Sequence, residues 1–172
     1  MAEVGRVRGR RPRLGYNIGS VRSFDLRRVA LEELGDLPLF EEVGFDVHLF
    51  IQGPSDADNL ERTAGVLSEL GCRHPFTLFR DPGSLAKILK PGELDLFFGA
   101  DFLREQLALV NLPLLELDAL LMGYGAVADN LDRIGRCLSS RFAGYFAATT
   151  SEGVAPDDVA TGVPTAPAAR HV

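Results

Sequence analysis

The chain has 172 residues, 46% hydrophobic and 24% charged, with a net charge of −6, enough for one domain with its own core. It holds no uninterrupted apolar run of 18 residues or more, so no transmembrane helix is expected, and the basic start lacks the apolar segment of a secretory signal. Two cysteines far apart, Cys72 and Cys137, exclude a disulfide framework and lead to the expectation of a reducing, cytoplasmic setting.

The charge is uneven. Residues 1–13 carry five arginines against Glu3, a balance of +4 that leaves the remainder at about −10. A basic arm of this kind can meet nucleic acid or an anionic surface, but no aromatic residue is interleaved with its arginines. The reading adopted is a disordered, soluble leader with no nucleic-acid or membrane partner.

From residue 14 the pattern alternates. Leu14 to Ser20 reads as a strand closed by a Gly-x-x-x-Gly turn, and Ser23 or Asp25 as the cap of a helix with Leu26, Val29, Ala30 and Leu34 inward. A helical turn at 39–43 ends at Gly44, and Phe45 to Ile51 forms the next strand, with Asp46 and His48 alternating with apolar neighbours. Ser55 with Asp58 is a capping signal for a helix to Leu70, with Leu60, Ala64 and Leu67 inward. Phe76 to Phe79 is a strand, and Ser84 is placed as the cap of a short helix bearing Leu85, Ile88 and Leu89.

Residues 93–142 carry the most information. Leu94 to Phe98 is an apolar run ending at Gly99, the pattern of a strand buried on both faces. Asp101 is placed as the cap of a helix to Val110 with Phe102, Leu103, Leu107 and Val110 inward. Pro113 opens a strand over 114–117, and the loop from Asp118 to Gly125 follows. A last helix sets Val127, Leu131, Ile134, Leu138 and Phe142 on one stripe. Five alternations of strand and helix with short connections predict an α/β, Rossmann-like fold: a parallel sheet with helices on both faces, over residues 14–146. From 147 the chain is rich in Ala, Pro, Thr and Val, and a disordered tail is expected to 172.

In such a sheet, ligands sit beyond the carboxyl ends of the strands. The loops expected there supply the candidate binding residues Asn17, Gly19 and Ser20, Gly53 and Ser55, and Asp118, Gly123 and Tyr124, with Gly99 to Asp101 in the fourth loop. Helix N-termini in these loops offer free N–H groups to anions, and the glycines permit close backbone approach. The plainer reading is that Gly19, Gly53 and Gly123 are ordinary turn glycines, Asp118 caps its loop, and Tyr124 packs. No loop is a G-x-G-x-x-G or P-loop signature. Cys72 with His74, and Cys137, are weak candidate metal ligands; the ordinary role of such cysteines is as small core residues. His48 reads as a half-buried, hydrogen-bonded histidine, and no spacing assigns a catalytic residue.

Leu112-Pro113-Leu114 and Gly123-Tyr124-Gly125-Ala126, after a strand ending in glycine, give the chain a partial resemblance to the nitrogenase component 1 family. Leu14-Gly15-Tyr16-Asn17, Leu31-Glu32-Glu33-Leu34 and Val47-His48-Leu49-Phe50 are similar to that family's middle domain, with Gly35 to Gly44 resembling an insertion. The resemblance covers about residues 14–142 and lacks the family's first domain. It implies a truncated or accessory subunit of a nitrogenase-like oxidoreductase, taking part in electron transfer to a bound cofactor or substrate. An iron–sulfur or metal cofactor would be shared with a homologous or paralogous subunit and fed by an iron–sulfur reductase. Asp118 stands where the catalytic subunit of that family carries a histidine ligand, a poor substitute for imidazole. The alternative is a non-catalytic ligand-binding or cofactor-assembly module of the same fold.

Overall fold

Five strands lie parallel in one sheet: β1 (Arg13–Ser20), β2 (Asp46–Gln52), β3 (Phe76–Phe79), β4 (Leu96–Gly99) and β5 (Leu114–Glu116). A sixth, β6 (Ala160–Gly162), adds antiparallel to β3, so the order is β5-β4-β1-β2-β3-β6. The α-helices among the described residues are α1 (Leu37–Val43), α2 (Ala57–Glu69), α3 (Pro82–Ile88), α4 (Arg104–Leu109) and α5 (Val127–Ser139). The computed structural model describes residues 10–20, 34–121, 123–139 and 160–162. The expected helix after Ser23, the stripe residue Phe142, and the leader and tail other than 10–13 and 160–162 lie outside them. The α/β, Rossmann-like architecture expected from the alternation is the one found.

The pleat sorts the side chains into two layers. Leu14, Tyr16 and Ile18 of β1 point to one face, where Phe40 of α1, Leu67 of α2 and Ile134 of α5 cover them. On the other face Phe50, Phe79 and Phe97 pack under Leu85 of α3 and Leu103 and Leu107 of α4. On that second face β1 presents Gly15 opposite Phe97. A Cβ on Gly15 would lie 2.5 Å from a Phe97 ring carbon, so the ring occupies the space that any side chain there would need.

Several local expectations need correction. The cap of α2 is Asp56, whose Oδ1 accepts the Asn59 N–H at 2.9 Å, and not Ser55. The cap of α3 is Asp81, because Pro82 with its fixed φ begins the helix, and Ser84 becomes the third residue of a capping box. Asp101 lies in a 3-10 turn (Asp101–Leu103) that precedes α4, and it pairs with Arg104 rather than capping. That tighter turn shifts the helical phase, so Phe102 is 52% exposed while Leu103 and Leu107 are buried. Val127, at the first position of α5, is also exposed. The tail expectation included no strand, and β6 supplies one.

The end of the basic leader is tied down. Arg10 donates two hydrogen bonds to the Asp95 carboxylate, at 2.6 and 2.9 Å, and the Arg13 N–H donates a third at 2.8 Å. Order therefore begins before residue 14, and β1 starts at Arg13. Burial pushes the Asp95 carboxyl up, but the Arg10 and Arg13 donors together outweigh it and hold the group below its ordinary value. A depressed carboxyl contributes stability above its unfolded pKa and loses it as pH falls through the folded one. Asp95→Asn should therefore lower the urea midpoint at pH 7. The gap to wild type should close as pH falls below about 4; a gap constant with pH would mean the charge has no part.

Candidate functional site

The connection from β1 to β2 brings α1 onto one face of the sheet, and that from β4 to β5 brings α4 onto the other. The strand order reverses between β1 and β4, and in open α/β sheets ligands bind in the crevice at the carboxyl ends beside such a reversal. Because β5, β4, β1 and β2 are neighbours, the four loops singled out in the sequence follow one another along a single edge. The connectivity thus brings together the segments that hold Asn17, Gly53, Gly99 and Asp118.

Asn17 is the residue at the reversal. It is 1% exposed, and its Nδ2 donates to the Phe50 carbonyl at 3.0 Å and to the Ile18 carbonyl at 3.2 Å. Its Oδ1 is buried and accepts no hydrogen bond from the described residues. Across the strand pair stands Gly99, where a Cβ would lie 2.8 Å from Asn17 Cβ and 3.4 Å from its Oδ1. The amide therefore fits only because Gly99 has no side chain. Next along β1 the register with β2 shifts between Ile18 and Ser20, so Gly19 is the bulged residue at the strand's end.

The other expected residues are less engaged. The Gly53 N–H is already used, donating to the Phe79 carbonyl at 2.9 Å. Ser55 precedes the cap of α2 without serving as it. Asp118 is exposed in a 3-10 turn (Leu117–Ala119). Gly123 has φ 97°, a conformation that favours glycine, and its carbonyl accepts the Ala126 N–H at 3.0 Å. The Tyr124 backbone lies in that turn; its side chain is outside the described residues.

Sequence reasoning missed the residues that hold this edge in place. Asn130 of α5 accepts the Leu121 N–H and donates to the Leu121 carbonyl, both at 2.9 Å, and Arg133 donates to the Ala119 carbonyl at 2.6 Å. A polar residue on the stripe of Val127, Leu131 and Ile134 was the available signal for Asn130. Arg104 of α4 pairs with both Asp101 and Glu116, bracing the ends of β4 and β5. His48 sits as expected, its Nε2 2.7 Å from Thr77 Oγ1, and burial lowers its pKa.

The two cysteines are not part of the crevice. Cys72 is buried at the turn between α2 and β3, and burial pushes its thiol up. Its neighbour in sequence His74 is engaged by Glu41 at 2.7 Å. Cys137 lines a separate pocket beside β5, and burial pushes its thiol up too. Iron–sulfur clusters commonly take about four thiolates, so a chain with two cysteines cannot complete one by itself. Among the described residues no three His, Cys, Asp or Glu side chains gather as a metal site. No helix among them is long and apolar enough to cross a membrane.

No protein-family model, curated protein or solved structure matches the chain significantly.

The Asn17 geometry has a signed consequence. Asn17→Asp would replace the Nδ2 donor by an acceptor facing the Phe50 and Ile18 carbonyls. A buried carboxyl in that setting has its pKa raised, so it is destabilising at neutral pH and less so once protonated. The variant should unfold at lower urea than wild type at pH 7 and recover part of the deficit by about pH 4. A deficit that grows in acid would contradict the assigned amide orientation.

Proposed function

We propose that the chain is a ligand-binding module of Rossmann-like fold, with its ligand in the crevice between the carboxyl ends of β1 and β4. The carrying observation is the buried, unpartnered Oδ1 of Asn17 beside Gly99. A buried acceptor left unpaired costs about 1–3 kcal/mol, and a ligand N–H or O–H entering the crevice would recover it. The ligand is therefore a small molecule with a hydrogen-bond donor at its leading end. The loops after β2 and β5 would close over its remainder.

The redox-subunit reading is the second proposal. It is favoured by the order of elements over 96–139: a strand ending at Gly99, a helix, a strand opened by Pro113 and a glycine turn before a closing helix. In that reading a homologous partner supplies the missing thiolates and an iron–sulfur reductase supplies electrons.

Titration of the isotope-labelled chain with protoporphyrin IX, a nucleoside diphosphate and a sugar phosphate, followed by amide NMR, tests the first reading. Shifts should cluster at Gly19, Gly99 and their neighbours; binding that moves only other residues would overturn the crevice site. Anaerobic reconstitution with iron and sulfide, alone and with candidate partner subunits, tests the second. Protein that stays free of iron in every combination would end it.

A further inference from the structure

A pocket of about 440 Å³ lies at the opposite flank of the sheet from β6, between the outer strand β5 and α5. Leu115 of β5 and Ala119 of the turn that follows are its apolar members on the face that α5 covers, while the Leu114 side chain packs on the opposite face of the sheet. Its wall is α5, where Arg133, Arg136 and Cys137 fall at steps of three and four and so share one helix face. Glu116 is the acidic member of the lining, and Arg104 from α4 pairs with it. Arg136 is bridged to Asp132 on its own helix, yet its side chain remains 71% exposed, and that bridge is a weak surface pair. Arg133 is held in place by its hydrogen bond to the Ala119 carbonyl.

An open pocket with an apolar patch beside guanidinium groups on one helix is a site for a molecule with two unlike ends. The size falls within the range of small-molecule pockets, roughly 300–1,000 Å³. Arginine's planar fork matches the geometry of carboxylates and related oxyanions. We infer that this pocket binds an amphipathic anion, a carboxylate or sulfonate on an apolar body. The anionic end lies against Arg133 and Arg136, and the body lies on Leu115 and Ala119. The site is distinct from the crevice between β1 and β4 and does not rest on it.

Two fluorescent probes of similar shape separate the two halves of the claim. 8-Anilinonaphthalene-1-sulfonate carries an anion on an apolar body, and N-phenyl-1-naphthylamine is its uncharged counterpart. The sulfonate should bind the full-length chain saturably at one site, with the amides of residues 133–137 among those that shift in NMR. It should bind at least about tenfold tighter than the uncharged probe, the factor given by about 1.4 kcal/mol. Arg136→Glu and Arg133→Ala should each weaken it by about that factor, and Arg62→Glu, on α2, should leave it within about twofold. Arg136 has an exposed side chain, so its variant is expected to fold, which far-UV circular dichroism checks. No saturable binding, equal affinity for the two probes, or sulfonate binding unchanged in Arg136→Glu would each overturn the proposal.

Discussion

The central strand must satisfy neighbours on four sides at once. β1 is hydrogen-bonded to β2 along one edge and to β4 along the other, and helices cover both of its faces. Every residue from Leu14 to Ile18 is buried. On one face that demand is met in the usual way, by Leu14, Tyr16 and Ile18. On the other it is met by exchange with β4: Gly15 gives its space to Phe97, and Gly99 gives its space to Asn17. Large and small residues alternate in opposite phase on the paired strands. A slip of one residue would set Phe97 against a side chain and turn Asn17 to the other face, so this interlock specifies the register. It also fixes how the carboxyl ends of the two strands align.

Much of this architecture was legible because its signals are local. Short apolar runs ending at glycine or proline gave the strands. Alternation with helical stripes gave the parallel sheet, and the carboxyl-end rule gave the loops that share an edge. What was not legible depends on neighbours distant in sequence. Asp95 and Arg10 are 85 positions apart, so nothing near Arg10 indicates that the basic leader is anchored. β6 joins the sheet through three residues in a stretch of weak patterning, where pairing rather than propensity makes the strand. The helix caps failed for a nearer reason. Two acceptable capping residues stood close together at Ser55 and Asp56, and the proline at 82 moved the start of α3 ahead of Ser84.

Gly15 reads as the first glycine of a Gly-x-x-x-Gly turn and Asn17 as a loop-edge residue, and both are buried in the fold. A glycine opposite an aromatic ring, or a polar side chain opposite a glycine, has meaning only once the β1–β4 register is known. Asn17 was selected for its position at a strand end; the reason it matters is its burial.

Two buried asparagines show what that burial implies. Asn130 uses both halves of its amide on one residue, accepting from the Leu121 N–H and donating to the Leu121 carbonyl. It is a latch between loop and helix, with both its donor and its acceptor group engaged. Asn17 uses only its donor half. Its two acceptors, the Ile18 and Phe50 carbonyls, fix the amide in one orientation, and the same constraint holds Oδ1 toward Gly99 without a donor. An apolar residue of similar shape would leave no such acceptor, and a fully satisfied amide would resemble Asn130. A core that retains the half-used form keeps a directed acceptor at the one point where the strand order reverses. The thiols offer no comparable device, since burial favours their neutral form. The two proposed sites therefore rest on a buried carbonyl oxygen where the strand order reverses and on guanidinium groups at the flank beyond β5.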